Sequence, residues 1–450
     1  MDTQFQELDS LQRTLNHAID TFRKELIAAN LPALSSQATE PHPLDDNNYL
    51  APTRLYEARR LAIASIVQLK NLLQYPFEKA SEDAYAVYDR ACVDVMISTG
   101  LADCLGKAPD RKKGLHVDDL QKELDMDGRK LTIVLRYLCT QGWVRETQEG
   151  VFALNRIGNE LLEGSLGRGR LGSPYVPELA GTLVKWLQHP EWKYSDSVLH
   201  TPVQIVHKTD LSCFDWVKTR PDLFPYLSEA MRAAGNAYIR GLLTDYPWGS
   251  LEGQTIVDCG GGTGAMSIAL AKTFPSLRFI IQDLPETLTL AKAQPQCRKG
   301  DDYHYLFRHV LHDWPDDDAT KILTRTAEAA GPKSKIFIME TVSIPGIIDT
   351  SEASGGDDAA LNALNALNNV TYEPVSPPPF IPANLGAASK HREGLVIQLL
   401  SLFNAQGRTL ADWKRLAESS GLKLVKVYSM RADMSVIECA LPAQKTCEVC

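Results

Sequence analysis

Asp258 stands two residues ahead of Gly260, and Gly262 and Gly264 follow in the stretch "IVDCGGGTG" (256–264). A short apolar run leads into these glycines, and "AMSIALAKTF", with helical spacing, leads out. A turn so poor in side chains lets the backbone come close to another group. Gly260, Gly262 and Ala265 satisfy the permissive dinucleotide fingerprint, so a nicotinamide cofactor has to be weighed first. A phosphate-binding P-loop is excluded, because no Gly-Lys-Ser/Thr follows. Asp258 favours another ligand: a carboxylate beneath the turn suits a cation better than a diphosphate. The run Asp-x-Gly-x-Gly-x-Gly is typical of sites for S-adenosylmethionine, which carries an ammonium and a sulfonium and no phosphate. Asp283 ends the next predicted strand, in "FIIQDLP", 25 residues after Asp258. An acid there can accept both ribose hydroxyls, and it serves either nucleotide class.

A second group of residues could move a proton. In "YHYLFRHVLHDWPDDD" a strand ends and His312-Asp313 follows at its carboxyl end, the edge of an open α/β sheet where ligands bind. A hydroxyl attacking a sulfonium methyl must lose its proton, and an imidazole is the natural base near neutral pH. Glu340 ends the following strand, in "KIFIMETV", where its carboxylate could hold the ring. The chain has ten histidines, and His304 and His309 read as structural. Asp316, Asp317 and Asp318 read as the acidic first turn of a helix.

These residues need a sheet to position them. From 254 the chain alternates strand and helix ("TIVDCG", "AMSIALAKTF", "RFIIQDL", "YHYLFRHV", "ATKILTRTAEAAG", "KIFIMETV"), which predicts a parallel sheet wrapped by helices. "LKLVKVYSM" and "MSVIECAL" close it as an antiparallel pair. Residues 345–390, with "NALNALNN" and "VSPPPFIPAN", read as a low-complexity, mobile insertion. Upstream, Leu8, Leu11, Leu15, Ile19, Phe22 and Leu26 mark an amphipathic helix, and a linker and a second long helix follow.

Residues 91–155 give three helices, "ACVDVMISTGLADCLG", "HVDDLQKELD" and "GRKLTIVLRYLCTQG", then a hairpin turning at Glu149-Gly150. That is a winged-helix pattern. Its candidate recognition helix offers only Arg129, Lys130 and Arg136 among acids, so packing or dimerisation is expected rather than DNA binding. The expected domains are 1–165 (helical and winged-helix), 166–245 (helical connector contributing to an acceptor pocket) and 246–442 (S-adenosylmethionine-binding).

The bulk properties narrow the setting. With 450 residues the chain can bury a large core in two or three domains. A formal charge of −9 argues against a general nucleic-acid surface. No apolar run is long enough to span a membrane, and the start lacks a signal-peptide pattern, so the cytoplasm is the expected compartment. Nine scattered cysteines fit reduced thiols. The terminal "CEVC" fits neither a prenylation box nor a metal site well, and no metal site is expected.

From about 85 to 440 the chain resembles S-adenosylmethionine-dependent O-methyltransferases of the caffeic acid type, in their fungal form. The resemblance rests on the winged-helix region, "VDCGGGTG", "FIIQDLP", "RHVLHDWPD" and "LFNAQGRTLADWKRLAESSGL". It implies a fold of α/β class, a Rossmann-like class I methyltransferase domain behind a winged-helix dimerisation domain. It further implies homodimers, and phenolic hydroxyls of small secondary metabolites as acceptors. The residues it implies are His312 as general base, Glu340 flanking it, Arg308 at the cofactor, and Asp313 and Met231 lining the acceptor pocket.

Two departures stand out. Gly407, in "QGRT", takes the place of an acid that serves the family as a second partner of the base. Only 17 residues (286–302) separate "IIQDLP" from "YHYLFRHV", enough for a crossover but not for the family's outer third strand. The expected consequence is weak cofactor binding, or else a natural form that retains the missing piece. An active O-methyltransferase is the leading reading. A catalytically impaired paralogue that binds or dimerises, a winged-helix regulator and a nicotinamide oxidoreductase are its competitors.

Overall fold

A computed structural model of the protein describes residues 3–284, 302–350, 356–368 and 371–442. Two long helices, α1 (Gln6–Ala28) and α2 (Thr53–Leu73), pack together and are followed by α3 (Pro76–Tyr85). Next come α4 (Val87–Ser98), α5 (Leu101–Gly106), β1 (Leu115–His116), α6 (Val117–Leu124) and α7 (Gly128–Thr140). Strands β2 (Val144–Gln148) and β3 (Val151–Leu154) pair as the expected hairpin, and β1 adds to β3. The first helix expected in this unit is two helices. Gly100, at φ +75°, turns the chain between α4 and α5 in the left-handed conformation that ends a helix. Leu101, Leu105, Leu120, Leu131, Leu135 and Phe152 belong to the core of this unit.

Helices α8 (Leu166–Leu171), α9 (Val176–Gly181), α10 (Leu183–Leu187), α11 (Pro202–His207), α12 (Cys213–Lys218), α13 (Phe224–Asn236) and α14 (Ile239–Thr244) lead from this unit to the main sheet. That sheet is built from β4 (Thr255–Cys259), β5 (Arg278–Gln282), β6 (His304–Arg308), β7 (Lys335–Glu340), β8 (Lys423–Ser429) and β9 (Ser435–Ala440). The order is β5-β4-β6-β7-β9-β8, parallel from β5 to β7, with the closing pair antiparallel as expected. The helices in this part of the chain are α15 (Ala265–Thr273), α16 (Asp316–Ala329), α17 (Gly356–Ala366), α18 (Lys390–Phe403) and α19 (Leu410–Ser419).

Side chains alternate between two cores, one on each face of the sheet. Tyr305, Phe307, Ile336 and Ile338 join Ala319, Leu323, Trp413 and Leu416, whereas Leu306, Phe337 and Met339 join Trp248, Met266 and Leu270. This is the two-residue period of a strand, and burial on both faces explains the near-continuous apolar runs of β6 and β7.

Among the described residues β5 is an edge strand. Residues 286–301 of the short interval lie outside them, as does "CEVC". The insertion differs from its expectation, because its described part is docked. Leu364, Val375, Ile381 and Leu385 share a core with Leu11, Ala18, Ala58 and Leu61 of α1 and α2. Buried Glu57 accepts from the Tyr372 hydroxyl at 2.6 Å and from the Val375 N–H at 3.1 Å, and it pairs with Arg60 at 2.7 Å. Composition hides these anchors, which are single apolar residues spread among Pro and Asn.

Candidate active site

Strands β4 and β6 are neighbours, but the chain reaches β6 only after visiting β5 on the other side of β4. That reversal opens a crevice at the carboxyl ends of the strands. Asp258 and the glycine turn belong to the end of β4 on one side of it, and His312 follows β6 on the other.

The turn joins β4 to α15. Asp258 is buried, and its Oδ2 accepts from Ser267 Oγ of α15 at 2.5 Å. Burial raises its pKa, opposed by the Ser267 hydrogen bond and the positive charge of Arg308. Gly264 has φ +83°, which disfavours a side chain, and a Cβ there would lie 2.3 Å from Ile281 Cδ1, so the end of that side chain would have to shift. At Gly260 a Cβ would press on Val310 at 2.7 Å. Much of the closeness that the glycines permit is thus to the protein itself. Gly262 differs. At φ +58° a built Cβ there has no described atom within 4 Å, and the Gly262 N–H donates to Asp283 Oδ2 at 2.7 Å. Asp283 Oδ1 accepts the Leu284 N–H at 2.7 Å, so backbone groups orient this acid.

His312 lies in a 3-10 turn, Leu311–Asp313, just after β6. Its Nδ1 is 2.7 Å from Glu340 Oε2, and its Nε2 is 3.4 Å from Asp313 Oδ1. Glu340 is fully buried at the end of β7, where Oε1 accepts the N–H groups of Val310 (3.0 Å), Leu311 (3.1 Å) and His312 (3.4 Å). Burial alone would push the His312 ring down, but the Glu340 carboxylate outweighs it and raises the pKa to about 9. Burial likewise pushes Glu340 up, and the charge of the facing imidazole overrides it and leaves Glu340 lowered. Asp313 is raised to about 6 by burial. Arg308 donates to the Gly235 carbonyl at 2.8 Å, which ties the end of β6 to α13.

The expected site residues therefore divide. Asp258, the three glycines and Asp283 gather at the turn. His312, Asp313 and Glu340 gather opposite, with Arg308 leading into them. Met231 stands 58% exposed on α13, the helix to which Arg308 is tied. Gly407 lines a small cavity with His312, Glu340, Thr341, Gln406 and Trp413. A Cβ at Gly407 would meet Val396 Cγ1 at 2.7 Å, so Val396 fills the direction that an acid would take.

Arg408 is a site residue that sequence reading misses. Only 2% exposed, it donates to Asp316 Oδ1 (2.8 Å), the Leu311 carbonyl (2.7 Å) and the Trp314 carbonyl (2.7 Å). It grips both ends of the turn that carries His312, and it gives Asp316 a role beyond the helix dipole. An arginine 94 residues from Trp314 carries no local pattern that would assign it there.

Known proteins resemble this chain in sequence and fold. Residues 193–365 match the O-methyltransferase domain family. The chain is 27% identical to O-methyltransferase tpcA of Aspergillus fumigatus over 91% of its own length and 92% of that protein. It is 29% identical to 3-O-methyltransferase 2 of Phanerochaete chrysosporium, over 84% and 85% of the two chains. Over most of its length the chain is similar to named fungal O-methyltransferases. Solved structures agree on the fold. The mitomycin 7-O-methyltransferase MmcR matches with a TM-score of 0.59 at 20% identity, over 81% of this chain and 97% of that one. LepI in complex with SAM matches at 0.62 and 20% identity, over 86% and 94%.

The residues present suit the donor that this O-methyltransferase family uses. Two carboxylates at the ends of adjacent strands, one of them buried, flank a turn whose middle glycine opens on free space among the described residues. No phosphate-binding lysine accompanies that turn. The set fits a cationic nucleoside better than a dinucleotide diphosphate.

Proposed function

We propose that this chain transfers a methyl group from S-adenosylmethionine to a hydroxyl, phenolic in class, of a small secondary metabolite, with His312 as general base. The observation that carries this reading is the His312–Glu340 pair, set across the switch-point crevice from the Asp258 turn. S-adenosylmethionine, when bound, supplies an electrophilic methyl. The Asp258 and Asp283 carboxylates would hold its charged and ribose groups, and Arg308 would border it.

With Nδ1 turned to Glu340, the lone pair of His312 that can take the acceptor proton is on Nε2. Glu340 stabilises the imidazolium that results, and its three backbone hydrogen bonds keep it from following the ring. Asp313, beside Nε2, would receive a polar group of the acceptor. General-base help of this kind is worth ~10²–10⁴-fold. Positioning in the crevice supplies much of the remainder.

The impaired-paralogue reading is not favoured. Gly407 removes one partner of the base, but Glu340 remains with full burial and a short contact. The unit formed by α4–α7 and β1–β3 is read as a winged helix used for dimerisation. Support comes from the run of exposed apolar side chains beside it: Leu73, Tyr75, Phe77, Tyr85, Val87 and Tyr88. Such a patch suits a protein interface. Among the described residues no helix is long and apolar enough to cross a membrane.

The test is incubation with methyl-labelled donor and a panel of phenols, read by mass spectrometry for a +14 product. Label on no phenol, together with no product from a metabolite extract, would remove the enzyme reading. Calorimetric titration of the donor separately checks the weak binding expected from the short interval.

A further inference from the structure

We infer that His309, His312 and Glu340 form a site for a divalent transition-metal ion of the zinc type, and that an ion bound there silences the base. One ligand atom from each of the three lies within 4.8 Å of the others. Zinc bonds of ~2.0–2.2 Å in a tetrahedral site need donors ~3.3 Å apart, so the widest pair must close by at most ~1.5 Å and the His312–Glu340 pair, at 2.7 Å, must open slightly. Two imidazoles and one carboxylate, with a position left open, is a donor set that suits zinc and its neighbours.

Each donor is prepared for the role. Glu340 gives Oε1 to three backbone N–H groups, which fixes the carboxylate and leaves Oε2 facing the histidines. His312 has Asp313 Oδ1 3.4 Å from Nε2, the outer carboxylate that commonly orients a metal-bound imidazole through its second nitrogen. His309 has no such explanation inside the protein. Among the described residues its buried Nε2 has no hydrogen-bond partner, and its backbone sits at φ +55°. A left-handed backbone and an orphaned ring nitrogen are each unfavourable for a non-glycine residue. Its ring centroid nevertheless lies 5.2 Å from that of His312, at 63°. A metal ion would satisfy that nitrogen. The nearby Arg308 guanidinium opposes the ion, so binding should be weaker than at a structural zinc centre.

The binding claim stands on these donors alone, while the inhibition claim rests on the reading of His312 as the base. An ion on His312 Nδ1 and Glu340 Oε2 takes the carboxylate that supports the base and leaves the ring proton on Nε2, facing Asp313, with no lone pair for the acceptor. The measurement is titration of chelator-treated full-length protein with Co²⁺, followed by visible ligand-field absorption, against His309→Asn. Asparagine tolerates the left-handed backbone, so this variant should fold.

One Co²⁺ per wild-type chain, and at least tenfold weaker binding by the variant, are expected. Equal affinity in the two proteins, or a near-ultraviolet thiolate band showing cysteine ligation, would overturn the site. Should His309→Asn fail to fold, Glu340→Gln read by Co²⁺ alone serves: unchanged binding overturns the site as well. In turnover assays Zn²⁺ should inhibit the wild type, and His309→Asn should need at least tenfold more Zn²⁺ for the same loss. Binding without inhibition would leave the site standing and remove the base assignment instead.

Discussion

Nδ1 of His312 lies 2.7 Å from Oε2 of Glu340, a carboxylate on the neighbouring strand that three backbone N–H groups hold in place. The pair couples proton affinity to both stability and catalysis, in opposite senses. The His312 pKa is raised from 6.5 to about 9 in the fold. The stabilisation is therefore complete below pH 6.5 and is lost as pH rises through about 9. The neutral ring that can act as a base appears over the same window. kcat/KM should rise with pH to a plateau beyond about 9. In Glu340→Gln the ring loses the main charge that raises its pKa and keeps the burial that lowers it. The limb should move well below 9, with a plateau at least tenfold lower. A limb left unmoved would show that another group governs it.

His312→Gln removes the base and keeps a side chain of similar reach. Turnover should fall ~10²–10⁴-fold. Donor affinity should stay within about threefold, because the turn at Asp258 is built from a different strand. Radiolabelled methyl transfer together with calorimetry of the donor checks both halves. Turnover within threefold of wild type would remove His312 from the chemistry.

Arg408 predicts a different kind of failure. Its fork meets two carbonyls and a carboxylate in three directions, which one lysine ammonium cannot reproduce. Arg408→Lys should lower stability by ~1–3 kcal/mol by leaving carbonyls unpaired. Because the loosened turn carries His312, kcat should fall more than donor affinity. Denaturant midpoints and the kcat-to-KM split test this; a stability loss with kcat unchanged would limit Arg408 to the fold.

The difference between His312 and Arg408 shows what the sequence can carry. His312, Glu340, Asp258 and Asp283 are legible because each lies at or just beyond the end of a strand, and the ends of parallel strands meet at one sheet edge whatever the packing. The glycine spacing is legible for the same reason. Arg408 meets Trp314 across 94 residues of chain, and a contact so distant leaves no periodic trace. His309 reads as structural because nothing local distinguishes a left-handed histidine from an ordinary one. The insertion reads as mobile because its anchoring apolar residues are too widely spaced to lift a Pro- and Asn-rich stretch above low complexity. Gly100, which splits one expected helix into two, is hidden by apolar periodicity that continues on both sides of it.

The glycine turn separates packing from ligand space, and two substitutions exploit this. Gly264→Ala places a Cβ 2.3 Å from Ile281 Cδ1 at φ +83°. Strain of ~1–2 kcal/mol and overpacking of ~1–3 kcal/mol should add to a loss of ~2–5 kcal/mol. Ile281→Val deletes the struck carbon, so the double variant should recover the overpacking part and leave the strain. Gly262→Ala meets no described atom within 4 Å, and its φ of +58° should cost only ~1–2 kcal/mol. That open space is where the donor is proposed to lie, so this variant should fold and lose at least tenfold in donor affinity. Denaturant titration and calorimetry of the pair check the contrast. If Gly262→Ala binds donor as the wild type does, the donor does not pass over that glycine, and the reading of the Asp258 turn as its cradle fails.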